Sequence, residues 1–144
     1  VIRIRHTEDH DDEIAALDAV LFPDPALDTP LVIHASAECW GAFDGDTLIG
    51  YAVAYLVSDG SHYLDRYGVA SEYAGCGIGR RLLRRWLAEA RRAGASHAWT
   101  YTYSQNASSN NTLIAAGLRS WAPGVFPLTG EKPSDRHNMW RRTL

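Results

Sequence analysis

The chain has 144 residues, 46% apolar and 22% charged, with a formal net charge of -3 from 14 Lys and Arg against 17 Asp and Glu. That length suits one compact domain, residues 1–144, with a single core, and the composition excludes disorder, collagen and an apolar run long enough to cross a bilayer. With acidic residues in excess there is no bulk positive field to hold a nucleic acid. Two cysteines, Cys39 and Cys76, are too few for a disulfide framework, and the opening VIRIRH lacks a signal peptide's charged-then-apolar layout. A reducing cytoplasm is expected, and because the first residue is Val, trimming of a few preceding residues is expected too.

Residues 1–5 alternate apolar and charged side chains and read as a half-buried strand. A helix follows, capped by Thr7 or Asp9, with acidic residues in its first turn and Ile14, Leu17 and Leu21 on one face. Pro23 and Pro25 end it. The cap signal Asp28-Thr29-Pro30 predicts a short second helix over residues 31–35. From Glu38 the period becomes two, and Asp44-Gly45 between two apolar runs predicts a hairpin, with Asp59-Gly60 turning into a third strand, HYLDRYGV.

After that strand, Gly75, Gly77 and Gly79 open a long helix in which Ile78, Leu82, Trp86 and Ala90 recur every four residues until Gly94. The next strand, residues 97–103, carries Trp99, Tyr101 and Tyr103 on one face and Thr100 and Thr102 on the other. A short helix over residues 108–116 ends at Gly117, and residues 118–121 and 137–141 supply two closing strands.

A strand, a glycine turn and a helix make an anion site, because the first N–H groups of a helix are unpaired and its dipole is positive there. The nucleotide P-loop requires Lys-Ser/Thr after its last glycine, whereas Arg80-Arg81 follows here, and the spacing also fails the dinucleotide fingerprint. Arg80 and Arg81 stand in the first turn, where each cation is disfavoured by about 0.3–1 kcal/mol unless an anion binds. A solvated basic face explains the arginines alone but leaves the three glycines unaccounted for. Cys76 at a helix start could in principle carry an acyl group, but a bystander role is the simpler reading. His6 and His10, four residues apart among carboxylates, suggest metal, yet a solvated helix start explains them better, and no metal is expected.

The run VASEYAGCGIGRRLLRRWLAEARRAGA, followed by NASSNNTLIAAGL, resembles the two cofactor motifs of the GNAT superfamily of acyl-CoA-dependent N-acyltransferases, over roughly residues 64–118. The resemblance implies an α/β fold with a mixed, mostly antiparallel sheet flanked by helices, its central strands splayed to form an acyl-CoA cleft. It implies acetyl-CoA as the acyl donor, bordered by Tyr67, Gly68 and Val69 on the strand and by Ala74, Gly75, Cys76, Gly77, Ile78, Gly79 and Arg80 at the turn. The family's Gln or Arg ahead of the glycines is Ala74 here, a departure that leaves the backbone donors in place. In the second motif, Asn106, Ser109, Leu113 and Gly117 match Asn-x-x-Ser-x-x-x-Leu-x-x-x-Gly of the branch that acetylates protein N-termini, which implies that Asn106 and Ser109 meet the pantetheine arm and phosphates.

Acyl transfer to an amine needs a base, an oxyanion donor and a proton for the thiolate. The resemblance puts the oxyanion donor at the N–H of Tyr67 or a neighbour. Asp65 is the first candidate base, against the alternative of a surface pair with Arg66 or another arginine. Position 101, a glutamate in several relatives, is Tyr, and the tyrosine that many relatives use as the acid is Leu113. Tyr101 and Tyr103 are therefore candidate replacements. Tyr63, Glu72, Trp99, Trp40 and Trp121 would favour a cationic amine with an apolar body. The expected reaction is transfer of acetyl from acetyl-CoA to a primary amine, of a small molecule, peptide or protein, by direct attack in a ternary complex. The alternatives are a catalytically quiet acyl-CoA sensor and a phosphate-loop nucleotide binder. No nucleic-acid or membrane partner is expected, and exposed sheet edges of this architecture suit pairing of two copies.

Overall fold

A computed structural model describes residues 1–24, 29–103, 107–121 and 137–144. Among these, seven strands form a sheet in the order β1-β2-β3-β4-β5-β7-β6, with three α-helices. The strands are β1 (Ile2–Thr7), β2 (Glu38–Asp44), β3 (Thr47–Leu56), β4 (His62–Val69), β5 (His97–Tyr103), β6 (Arg119–Trp121) and β7 (His137–Thr143). The helices are α1 (Asp11–Leu21), α2 (Ile78–Arg92) and α3 (Ala107–Ala115). The mixed, helix-flanked α/β sheet expected from the sequence is the fold observed. The chain forms two compact units, Val1–Tyr55 with Leu64–Trp86, and Leu56–Tyr63 with Leu87–Leu144.

In the first unit β1, β2 and β3 are antiparallel, and the Asp44-Gly45 hairpin forms as expected, with Asp44 opposite Thr47 and Gly45 at φ +59°. Strand alternation separates the helices. Tyr51 and Val53 join Ile14 and Cys39 in a core against which Leu17 and Leu21 of α1 pack. Gly50, on the opposite face, brings α2 close, because a side-chain carbon there would stand 3.3 Å from Leu82. Helix α1 begins later than expected. Residues through Thr7 belong to β1, so His10 takes the cap position without a side-chain bond, while Asp11, Asp12 and Glu13 fill the first turn. The short helix expected over residues 31–35 does not form. Leu31 and Ile33, two residues apart, both pack on the core cluster, and that burial overrides the local cap signal.

The basic stripe of α2 has a structural task. Arg81 donates to the Ile2 carbonyl at 2.8 Å and Arg85 to the Ile4 carbonyl at 3.4 Å, which covers β1 at the sheet edge. In the second unit β5 pairs with β7 along its whole length and β7 pairs with β6, all antiparallel. The parallel ladder between β4 and β5 holds two pairs, His62 with Ala98 and Tyr63 with Trp99, although β4 runs on to Val69 and β5 to Tyr103.

Candidate active site

The turn before α2 is built from left-handed glycines. Gly75 has φ +77° and Gly77 +79°, a region that costs other residues roughly 1–2 kcal/mol. Among the described residues, a side-chain carbon on either would meet no atom within 4 Å. The first bond of the helix ladder runs from Arg81 N–H to Gly77 O, which leaves the N–H groups of Ile78, Gly79 and Arg80 ahead of it. Gly79 is helical, and a methyl there would sit at ordinary contact, 3.7 Å from Tyr67 and 3.9 Å from Val69. Protein packing does not demand glycine at that position, whereas close approach of a ligand to the backbone would.

Other groups hold this turn in place. Tyr73 O–H donates to Asp44 at 2.6 Å, and Cys76 N–H bonds Tyr73 O at 3.3 Å. Arg80 is exposed, with no hydrogen bond or ion pair among the described residues. Glu72 and Cys76 are exposed, and the backbone at residues 74–77 is open, so the turn presents N–H groups, one free guanidinium and the positive end of α2.

Behind the turn, β4 is tied to α1 by a buried polar cluster that the sequence reading missed. Asp18, 2% exposed, accepts from the Tyr51 hydroxyl at 2.5 Å and from Arg66 at 2.7 Å. Arg66 also donates to Thr29 O at 3.0 Å and lies over the Phe22 ring. Burial, then the bond to Asp18, holds the Tyr51 phenol far above its usual range. Burial works against the Arg66 guanidinium, and Asp18, with smaller help from Asp65 and Tyr51, more than offsets it. A side chain at Gly68 would lie 2.9 Å from the Tyr51 hydroxyl and 2.7 Å from Leu21, so glycine is required there by packing. The available signal was helical spacing, since Ile14, Asp18 and Leu21 put a carboxylate on the core face of α1.

Asp65 is half-buried on β4. The neighbouring Arg66 forms an ion pair with Asp18, and the Asp65 carboxylate acts on the same guanidinium. Asp65 lies near enough to Tyr55 to act on it: burial pushes that phenol up, the His34 N–H works against this, and Asp65 adds to the rise. Tyr67 and Val69 are half-buried.

In the second unit the aromatic stripe of β5 is closed. Trp99, 1% exposed, stacks on Tyr63 with centroids 4.3 Å apart, meets Trp121 edge-on at 6.0 Å and donates its indole N–H to Ser61 Oγ at 3.0 Å. Tyr63 is buried and stacks on Tyr101 at 6.3 Å; Tyr101 and Trp121 stay half-buried. The polar face is satisfied too, since Thr102 Oγ1 bonds Asn110 of α3 and accepts from Trp140 at 2.9 Å.

The sequence profile of the acetyltransferase (GNAT) family matches residues 5–113. The chain belongs to this family. Comparison with curated protein sequences gives no match, but solved structures share the fold. A Bacillus subtilis acetyltransferase in complex with CoA superposes with a TM-score of 0.78 at 19% identity, covering 100% of this chain and 99% of that one. A GNAT acetyltransferase from Elizabethkingia anophelis with acetyl-CoA bound gives 0.77 at 17% identity, covering 99% and 98%. The ribosomal-protein-S18-alanine N-acetyltransferase of Escherichia coli gives 0.75 at 16% identity, covering 99% and 94%.

Within this GNAT chain the expected site residues have different fates. Trp40 is fully buried, edge-on to His6, and Trp99 and Tyr63 are buried in the stack, so all three are core residues rather than an open wall for an acceptor. The stack satisfies the ring faces of Trp99 and Tyr63 internally. Leu113, at the family's acid position, is fully buried. Ser109 is half-buried on α3. Asn106 and the side chain of Tyr103 lie outside the described residues. His6 and His10 pack edge-on against Trp40 and Phe43. Among the described residues no three His, Cys, Asp or Glu side chains gather around a common point, and no helix is long and apolar enough to cross a membrane.

Proposed function

We propose that this GNAT protein is an N-acetyltransferase, a single domain over residues 1–144, that uses acetyl-CoA to acetylate a primary amine by direct attack in a ternary complex. The observation that carries the proposal is the glycine turn at the head of α2, where backbone donors precede the helix ladder and, among the described residues, a side-chain carbon at Gly75 or Gly77 would meet nothing within 4 Å. The residues present suit a diphosphate: the N–H groups of Gly75 and of residues 77–80 supply donors, Arg80 adds a free charge, and Asn106 and Ser109 are assigned to the pantetheine arm. Bound acetyl-CoA supplies an activated thioester.

The chain's own residues then have three tasks. An alkylammonium of pKa about 10.4 is protonated at neutral pH, so Asp65 takes its proton and leaves a neutral amine. The N–H of Tyr67, or of its neighbours Gly68 and Val69, donates to the oxyanion that forms on the thioester carbonyl. The departing thiol, of pKa about 8.5, needs little assistance, and Tyr101 or Tyr103 is assigned to return its proton in place of the family tyrosine. Likeness in the second motif to the branch that acetylates protein N-termini favours a peptide or protein amine. With Trp40, Trp99 and Tyr63 in the core, Glu72, Tyr101 and Trp121 are the remaining candidates for the acceptor. A cytoplasmic enzyme acting alone or as a pair of copies accords with this reading.

Isothermal titration with acetyl-CoA tests the first step, and no heat at millimolar ligand would overturn the proposal. Thiol release over a panel of amines and peptides tests the second, with binding but no turnover on any acceptor favouring an acyl-CoA sensor. Asp65→Asn is expected to lower kcat about a hundredfold while leaving acetyl-CoA affinity unchanged. An unchanged rate would remove Asp65 from the role of base.

A further inference from the structure

Beside the last residues of β7, where Thr143 lies opposite His97, the second unit forms a cavity of about 410 Å³ lined by Gly117, Arg119, Ser120, Arg141, Arg142 and Thr143. Half of these described lining residues are arginines and none of them carries a carboxylate side chain. In the β6–β7 ladder Arg119 stands directly opposite Arg141. Like charges facing each other across an antiparallel pair are unfavourable, and an anion between them reverses the sign of that interaction.

The protein orders two of the three arginines. Arg141 lies over the Trp121 ring at 5.1 Å from its centroid. Arg142 donates to Ala116 O at 2.7 Å, at the C-terminal end of α3, and its guanidinium fills the space next to Gly117, where a side-chain carbon would come within 3.2–3.4 Å. Gly117, at φ +86°, thus both turns the chain out of α3 and admits that guanidinium. Each guanidinium has five N–H donors, so one bond to Ala116 leaves Arg142 with spare capacity. Holding such side chains before a ligand arrives lowers the entropic cost of binding. Arg119 and Arg141 are exposed and can close on an anion from outside. A volume of this size falls in the range of small-molecule sites, with room for an organic group beside the anion.

The geometry points to an oxyanion-binding pocket formed by residues 117–120 and 141–143, which takes a phosphoryl or carboxylate group in the paired guanidinium forks of Arg119 and Arg141, with the Thr143 hydroxyl, on the same face of β7 as Arg141, as a further donor. Planar guanidinium forks match both oxyanions.

The test is a titration of the full chain with inorganic phosphate and, separately, with acetate at constant ionic strength, following the guanidinium N–H resonances of Arg119 and Arg141. The same spectra report the amides of residues 75–80, so anion binding at the glycine turn is read independently. Saturating shifts at both arginines are expected, with affinity reduced at least about tenfold in R119Q/R141Q. Saturation by phosphate alone identifies a phosphoryl ligand, and saturation by acetate alone a carboxylate. Shifts that never saturate with either anion, or equal affinity in the double variant, would overturn the pocket. Because both side chains are exposed, the double variant is expected to unfold at the temperature of the parent, and R119K/R141K, which keeps the charge without the fork, is expected to bind with intermediate affinity.

Discussion

The glycine turn ahead of α2 and the aromatic ladder of β5 handle their polar and apolar groups in opposite ways. At the turn, backbone donors precede the helix ladder, Gly75 and Gly77 have no described atom within reach of a side-chain carbon, and surrounding bonds such as Tyr73 to Asp44 hold the turn in place. On β5, ring faces meet ring faces, and the indole N–H of Trp99 already has Ser61 as acceptor. Unsatisfied groups on a rigid frame make a binding surface, whereas groups satisfied by one another make a core. Large aromatics and small glycines are both conspicuous in a sequence, but here the glycines mark the more open surface.

Substitutions on the two sides should therefore separate stability from binding. The largest effect is expected from Trp99→Ala, which removes a fully buried indole and leaves Ser61 without its donor. Urea unfolding should show a loss of about 3–5 kcal/mol, and a loss below 1 kcal/mol would show that the stack is not core. Gly77→Trp should act mainly on binding. Acetyl-CoA affinity by titration should fall at least a hundredfold, about 2.7 kcal/mol, while stability falls only by the roughly 1–2 kcal/mol that a non-glycine pays at positive φ. Equal affinity in this variant would separate the turn from the ligand.

Two smaller effects sharpen the contrast. Gly79→Ala should stabilise α2 by up to about 1 kcal/mol in thermal unfolding, since the methyl meets only ordinary contacts at Tyr67 and Val69. Destabilisation would mean that protein packing, not ligand access, selects glycine there. The two cysteines complete the series. Cys39 is buried, and burial, with Asp11 adding to it, pushes its thiol from 9.0 up to about 11, while Cys76 is exposed on the turn. A disulfide reagent at pH 8 should titrate one thiol in the folded chain, and acetyl-CoA should slow that reaction. In the unfolded chain Cys39 ionises first, so its contribution to stability is complete below about pH 9 and is lost as pH rises to about 11. Cys39→Ala should remove that part of the alkaline slope in urea unfolding.

Much of the frame was legible in the chain. The Asp44-Gly45 signal marks the hairpin, whose two loop residues are Gly45 and Asp46, α2 buries Ile78, Leu82, Leu83, Trp86, Leu87 and Ala90 along its predicted face, and Gly94 and Gly117 terminate their helices at positive φ. The glycine turn was equally readable because its chemistry belongs to the backbone, and a few adjacent residues specify it. Other features depend on partners far away in the chain. Asp18 finds Arg66 across 48 residues, and Leu31 and Ile33 leave a helix-like local signal because a core cluster built by α1, β2 and β3 receives them.

By itself, then, the sequence determined the order of elements, the turns and the glycine turn ahead of α2, since these follow from periodicity, φ preference and unpaired N–H groups within a few residues. Tertiary structure alone decided which conspicuous side chains remain accessible. It closed Trp40, Trp99 and Tyr63 into the core, gave Arg81 and Arg85 to the β1 edge, and set Arg119 opposite Arg141. Burial and pairing are properties of contacts between distant segments, and no local pattern encodes them.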